Sequence, residues 1–310
     1  MRIKYTSGVI YEGGVIYEGD SEDGKKDGHG LCTYPCGSTY VGCWKDDYPD
    51  GQGFWRDERG SVYDGNWKLN KRDGSGVCTY SNRDVYNGHW RDDKKDGRGL
   101  LTYANSEVYD GDWKDDKKDG RGLLTYANGE VYNGVWKDDK RHGPGRCWYT
   151  CDIIYNGDWK DDKRHGRGVF EHKHGIVYDF YNGDWEDDKK HGQGLWLDRN
   201  ADVYDGDWKD DKKDGSGKLT YANGEEYNGD WKDDKKDGRG KLTCANGDVY
   251  DGDWKDDKRH GQGVCWRNHA IVYNGDWKTT KSMVKEYGKK EMVMSMMETG
   301  KTIKRTAAVS

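Results

Sequence analysis

The chain has 310 residues, 35% of them charged and 32% hydrophobic, with a net charge of −6 and three phenylalanines. Such averages exclude a conventional aliphatic core, contain no apolar run long enough for a membrane-spanning helix and, taken alone, describe a disordered chain. Against disorder stand 15 Trp and 23 Tyr, nearly all at fixed places in a repeat, and each large ring buries much area while freezing only two side-chain torsions.

The N-terminus, Met-Arg-Ile-Lys-Tyr, lacks the apolar stretch of a signal peptide, so a soluble cytoplasmic protein is expected. Residues 1–16 form an irregular start, in which Gly-Val-Ile-Tyr-Glu-Gly runs from Gly8 to Gly13 and again from Gly14 to Gly19. Over residues 17–277 one pattern returns every 23 residues, in eleven complete units and part of a twelfth. A fixed period of this size marks a repeat architecture in which each unit is one supersecondary element.

The unit Tyr109 to Val131, YDGDWKDDKKDGRGLLTYANGEV, is representative. Tyr109, Gly111 and Trp113 alternate with Asp110 and Asp112, the period of a strand. The run Lys114 to Asp119 has no apolar member and reads as a connection. Alternation resumes at Gly120, Gly122, Leu124 and Tyr126, and Asn128-Gly129 supplies the residue types of a tight hairpin turn. The predicted fold class is all-β: an elongated single-layer antiparallel array of stacked β-hairpins.

Glycine occupies the third position of all twelve starts and the twelfth and fourteenth of all eleven full units. That weakens a strand unless something must approach the backbone closely. Gly111, Gly120, Gly122, Gly134, Gly143 and Gly145 are therefore read as structural glycines, covered by the repeat's Tyr and Trp rings. The charged connections should align as a solvated rim, with equivalent charges about 10 Å apart, close to a Debye length.

Two irregularities interrupt the period. The unit from Tyr155 spans residues 155–180, three more than the others, with the extra residues around Tyr178-Asp179-Phe180; a bulge or longer loop is expected there. The segment 278–310 is a basic, Met-rich tail. From Lys281 on, seven basic residues face three acidic ones, so the tail carries +4 and the rest −10. An acidic body is a poor general partner for nucleic acid. Met283, Tyr287, Met294 and Met297 would share one face of a short helix over 281–298; the alternative is a disordered tail.

The pattern Tyr-x-Gly-x-Trp, polar residues, Gly-x-Gly, an apolar residue and Ala-Asn-Gly, at a period of 23 over 17–277, closely resembles the MORN (membrane occupation and recognition nexus) repeat. The departures are Ser21 for Trp, Cys244 for Tyr, and Arg83, Ser106, Asp152, Ala201 and Ala270 for the turn glycine. The resemblance implies a curved array of hairpins acting as a scaffold. It further implies cytoskeletal or membrane-linked assemblies, a partner peptide or helix bound along an aromatic groove and, for some members, phosphoinositide binding.

The residues offer little chemistry. Lys between the carboxylates of the KDDKKDG turns denies a calcium loop its alternating ligands. Cys147, Cys151, His165, His172 and His174 could be imagined as a zinc site, but the Cys pairs lack a matching second pair, and the His of His142, His165, His191 and His260 takes the place of Asp in the turn. The eight Cys read as reduced, small core residues. No nucleophile with its base and no phosphate-cradling loop appears, so no enzyme, catalytic residue, metal or cofactor is predicted.

What remains is the aromatic face, with a partner-binding groove predicted at Tyr109, Trp113, Tyr132, Trp136, Tyr155, Trp159, Tyr181, Trp185, Tyr204 and Trp208. An open groove of rings edged by charges suits an extended peptide or amphipathic helix of a protein partner. The competing reading is an anionic membrane surface or phosphoinositide, met by the turn Lys and Arg and by Lys285, Lys289, Lys290, Lys304 and Arg305 of the tail. A third is a homodimeric structural rod joined through exposed strand edges.

Overall fold

A computed structural model describes residues 6–278 apart from 176, with 6–12, 174 and 177 as backbone only. The helix predicted over 281–298 lies outside the described residues, which contain twenty-four strands and no helix. The chain divides into two compact units, Met1–Lys212 and Lys213–Ser310. In the first, each strand from Thr6–Glu12 to Val203–Lys209 pairs antiparallel with the next along the chain. In the second, the same meander runs from Lys212–Thr220 to Ala270–Trp277.

Which connection is tight differs from the sequence reading. The strands Val108–Lys114 and Lys117–Thr125 are separated by Asp115 and Asp116 alone, both at positive φ, 48° and 69°. A two-residue turn of this hand matches the twist of the strands it joins, and Asp tolerates left-handed backbone better than most residues. Asn128-Gly129 instead belongs to a longer loop, in which the Tyr126 N–H donates to the Glu130 carbonyl at 2.8 Å and the Gly129 N–H to the Tyr126 carbonyl at 3.0 Å. Arg83, Ser106 and Ala201 take the left-handed conformation at the loop glycine's place, whereas near Ala270 the loop contracts to a two-residue turn of Asn268 and His269. Most of the supposed charged connection is therefore strand.

Inside the hairpin of Val108–Lys114 and Lys117–Thr125 the register slips once. Gly111 faces Gly122, but Trp113 faces Lys118, so Asp119, Gly120 and Arg121 bulge opposite Asp112. Gly120 is at φ +109°, a conformation that glycine accepts without strain. The Asp112 carboxylate closes the bulge by accepting the Arg121 N–H at 2.8 Å. The bulge also frees the Asp112 carbonyl, which accepts the Tyr109 hydroxyl at 3.0 Å.

The glycines accordingly split by cause. Gly111 and Gly122 lie beneath the Tyr109 ring, and Gly134 and Gly145 beneath Tyr132; a Cβ at any of the four would collide with the ring or its hydroxyl. Gly120 and Gly143 are the bulge residues, facing Asp112 and Val135 rather than a ring. The three extra residues of the long unit do not make a bulge or a loop. They lengthen a hairpin, whose strands Lys163–His174 and Val177–Glu186 stay in register from Phe170↔Tyr181 to His174↔Val177. At the start of the chain the duplicated hexapeptide folds on itself, with Gly8 opposite Gly19 and Tyr11 opposite Ile16.

Candidate functional site

The rings form one ladder within each unit. Tyr109 meets Trp113 edge-on at 5.1 Å and the next repeat's Trp136 at 5.6 Å, an arrangement matching the ring quadrupoles. The same alternation links Tyr17 to Trp208 in the first unit and Tyr227 to Trp277 in the second. Each indole also reaches back: Trp136 Nε1 donates to the Gly122 carbonyl at 3.2 Å and Trp159 Nε1 to Gly145 at 3.1 Å.

This ladder is core rather than an open lining. Of the ten rings predicted to line the groove, Tyr109, Trp113, Tyr132, Trp136, Tyr155, Trp159, Tyr181, Trp185, Tyr204 and Trp208, none is more than 4% exposed. They are sealed because a second layer covers them. It consists of a column of cations that the rim reading had left in solvent and of half-buried rings, Tyr80, Tyr103, Tyr126 and Tyr149 in the earlier repeats and Phe170 and Trp196 against Trp185 and Trp208.

Lys118 opens that column. It faces Trp113 across the hairpin, shares the parity of Gly120, Gly122 and Leu124, and so points to the ring face. Its Nζ is 4.9 Å from the centroid of Trp136 and 5.4 Å from that of Tyr109. Lys95 stands likewise over Trp113 at 4.3 Å, Arg141 over Trp159 at 4.2 Å and Arg164 over Trp185 at 4.1 Å. Cation–π attraction offsets part of the cost of removing the charge from water. Burial still lowers the ammonium pKa of Lys95, Lys118 and Lys236, with Asp116, Asp139 and Glu225 respectively pulling the other way. The sequence signal was present in the parity, had the strand been extended back to Lys117.

The neighbouring turn braces each cation. The Lys118 N–H donates to Asp139 Oδ1 at 2.9 Å, the Asp139 N–H returns to the Lys118 carbonyl at 3.0 Å, and Lys117 Nζ meets Asp138 Oδ1 at 2.8 Å. The last pair is exposed on both sides and contributes little to stability; the paired backbone and carboxylate bonds fix the spacing of successive repeats.

What faces solvent is thus a repeated cell of tyrosine, cation and carboxylate. One such cell, a depression of about 300 Å³, is bounded by Tyr80, Asp84, Lys95, Tyr103 and Asp116, with Leu101 at its floor. Burial pushes the Tyr103 and Tyr126 phenols up to about 12, so both are neutral hydrogen-bond donors at physiological pH. The cells present hydrogen-bond donors, acceptors and ring faces, which suit peptide groups and side chains. Cys147 is buried and donates its thiol to Glu130. Among the described residues no group of three or more His, Cys, Asp or Glu side chains is placed to hold a metal ion. On the reverse face Leu31, Phe54, Val77, Leu100 and Leu123 recur as an exposed apolar row. Lys285, Lys289, Lys290, Lys304 and Arg305 lie outside the described residues.

The sequence profile of the MORN repeat matches residues 17–39, 40–62, 63–85, 86–108, 109–131, 132–150, 155–173, 181–202, 204–226, 227–249 and 250–270. No curated protein matches the chain significantly. Among solved structures, the TCP domain of SAS-4 from Drosophila melanogaster, in complex with a proline-rich motif of Ana2, is similar at 13% identity over 64% of this chain and 82% of that one. Its TM-score of 0.26 is too low to bear on function.

Proposed function

This chain belongs to the MORN-repeat family, whose repeats commonly serve as protein-interaction or membrane-binding modules, and from that premise we propose a non-catalytic scaffold that binds a protein partner. The partner, an extended peptide or a helix, lies along the layer of Tyr80, Tyr103, Tyr126 and Tyr149 rather than against the buried ladder. The observation that supports this most is the series of half-buried cations over the indoles. It gives the face fixed charges and donors at constant spacing while leaving the tyrosines half exposed, as an interface core requires. The eight cysteines, all free thiols, suit a reducing, intracellular setting.

The test is a pulldown with paired variants, each verified by circular dichroism. A partner kept by wild type and by Leu100→Ser/Leu123→Ser, but lost from Tyr103→Ser/Tyr126→Ser, supports the reading. Loss from the reverse-face variant alone would move the interface to the apolar row and favour self-association; no loss from either would overturn the groove.

A further inference from the structure

Ten of the eleven repeat tryptophans have a Lys or Arg of this chain over the indole, from Lys26 over Trp44 at 4.9 Å to Arg259 over Trp277 at 5.1 Å. The exception among the described residues is Trp67. The residue in the covering place is Pro49, opposite Trp44 in its hairpin as Lys118 is opposite Trp113, and proline has no charge to offer. The consequence is visible in the packing: Trp67 is half-buried, whereas the other ten are at most 5% exposed.

Trp67 is nevertheless held as firmly as its counterparts. Its Nε1 donates to the Gly53 carbonyl at 3.1 Å, and its ring meets Tyr40 at 5.4 Å and Tyr63 at 5.2 Å. The half-buried ring forms, with Trp55 and Tyr80, the aromatic walls of a depression of about 410 Å³ that Asp57 also lines; Tyr63 lies beneath, fully buried and covered by Arg72. Asp57 replaces the tyrosine found at this place in most units. Its Oδ1 accepts the N–H groups of Arg59 and Ser61 at 2.9 and 2.7 Å, and among the described residues no cation pairs with it. The other charges in the wall, Arg72 and Asp93, neutralise each other at 3.2 Å.

We propose that this box takes one arginine side chain from a basic segment of the partner protein, in the place filled elsewhere by the chain's own cation. Three aromatic faces and an uncompensated carboxylate are complementary to a cation. A planar guanidinium suits the slot better than an ammonium, since it stacks on rings and is more weakly hydrated. Three of the four arginines in the column, Arg72, Arg141 and Arg164, lie 4.1 to 4.2 Å from their indoles, against 4.3 Å for Lys95; the fourth, Arg259, lies at 5.1 Å. The inference deepens the protein-binding reading above by giving one partner residue a chemistry.

The experiment titrates the full chain with acetyl-Gly-Arg-Gly-amide and follows the indole N–H signals by NMR, with the citrulline peptide as an uncharged match. A saturable shift of the Trp67 signal is expected, at least fivefold weaker with citrulline, reduced in Asp57→Asn and abolished in Pro49→Lys. The lysine variant installs the residue that six repeats carry at this place, where four others carry arginine, and an unchanged Trp90 signal reports its fold. No Trp67 shift, an equal shift with citrulline, equal shifts at every indole, or a shift that survives Pro49→Lys would each overturn the proposal. None of these outcomes touches the Tyr103 and Tyr126 test, so the wider reading stands or falls separately.

Discussion

The ammonium nitrogen of Lys118 lies 4.9 Å from the Trp136 indole and 5.4 Å from the Tyr109 ring, so a single cation touches the aromatic rungs of two successive repeats. Lys118→Ala removes both contacts and bares the rings. A loss of about 1 to 2 kcal/mol is expected, since the site is partly desolvated, while the exposed Lys114→Ala should stay within about 0.5 kcal/mol. Urea midpoints at constant slope measure both. Equal effects would show that the ring contact carries no stability.

Gly122 and Gly129 separate two reasons for glycine. A Cβ on Gly122 would sit inside contact distance of the Tyr109 hydroxyl and ring, and that ring is fully buried, so Gly122→Ala should cost about 3 kcal/mol or more through overpacking. Gly129 is at φ +86° with open space around it, so Gly129→Ala should cost only about 1 to 2 kcal/mol of left-handed strain. Thermal melts by far-ultraviolet circular dichroism give the order; the reverse order would contradict the ring-over-glycine packing.

The tyrosine ladder makes the fold sensitive to alkali. Burial raises the phenols of Tyr109, Tyr132 and Tyr155 above their usual range and holds Tyr17 and Tyr250 at about 12. The unfolded chain therefore loses these protons near pH 10 while the folded chain keeps them, and the stability they provide is complete below pH 10 and lost as pH rises toward 12. Phenolate absorbance of the ladder should appear together with loss of the circular dichroism signal. Full ionisation with the β signal intact would show that the rings are not sealed.

Membrane attachment is separated from protein binding by vesicle sedimentation at physiological salt. With phosphoinositide vesicles we expect the full chain to remain in the supernatant, because ring-face cations such as Lys118 are half-buried over indoles and exposed turn lysines such as Lys117 are paired with the carboxylate of the next turn. Salt-sensitive pelleting that disappears when 279–310 is deleted would assign the contact to Lys285, Lys289, Lys290, Lys304 and Arg305 instead.

The period, the all-β class and the link between bare glycine and large rings were all legible in the sequence of Tyr109 to Val131. Each follows from alternation within one strand, a relation between residues a few positions apart. The sequence was misleading where charge density was taken for a loop: Lys117 and Lys118 are strand residues, Asp115-Asp116 make the tight turn, and Asn128-Gly129 the wider one. It could not show that Lys118 leaves the rim for the rings, or that Tyr109 and Trp136 lie beneath a second layer of tyrosine. Those facts depend on partners in the following repeat, Trp136 and Asp139, which dry one face of the lysine and anchor its backbone. Local alternation determined the strands and their faces; which side chains remained in water was decided only when one hairpin was laid on the next, because burial is a property of neighbours in space.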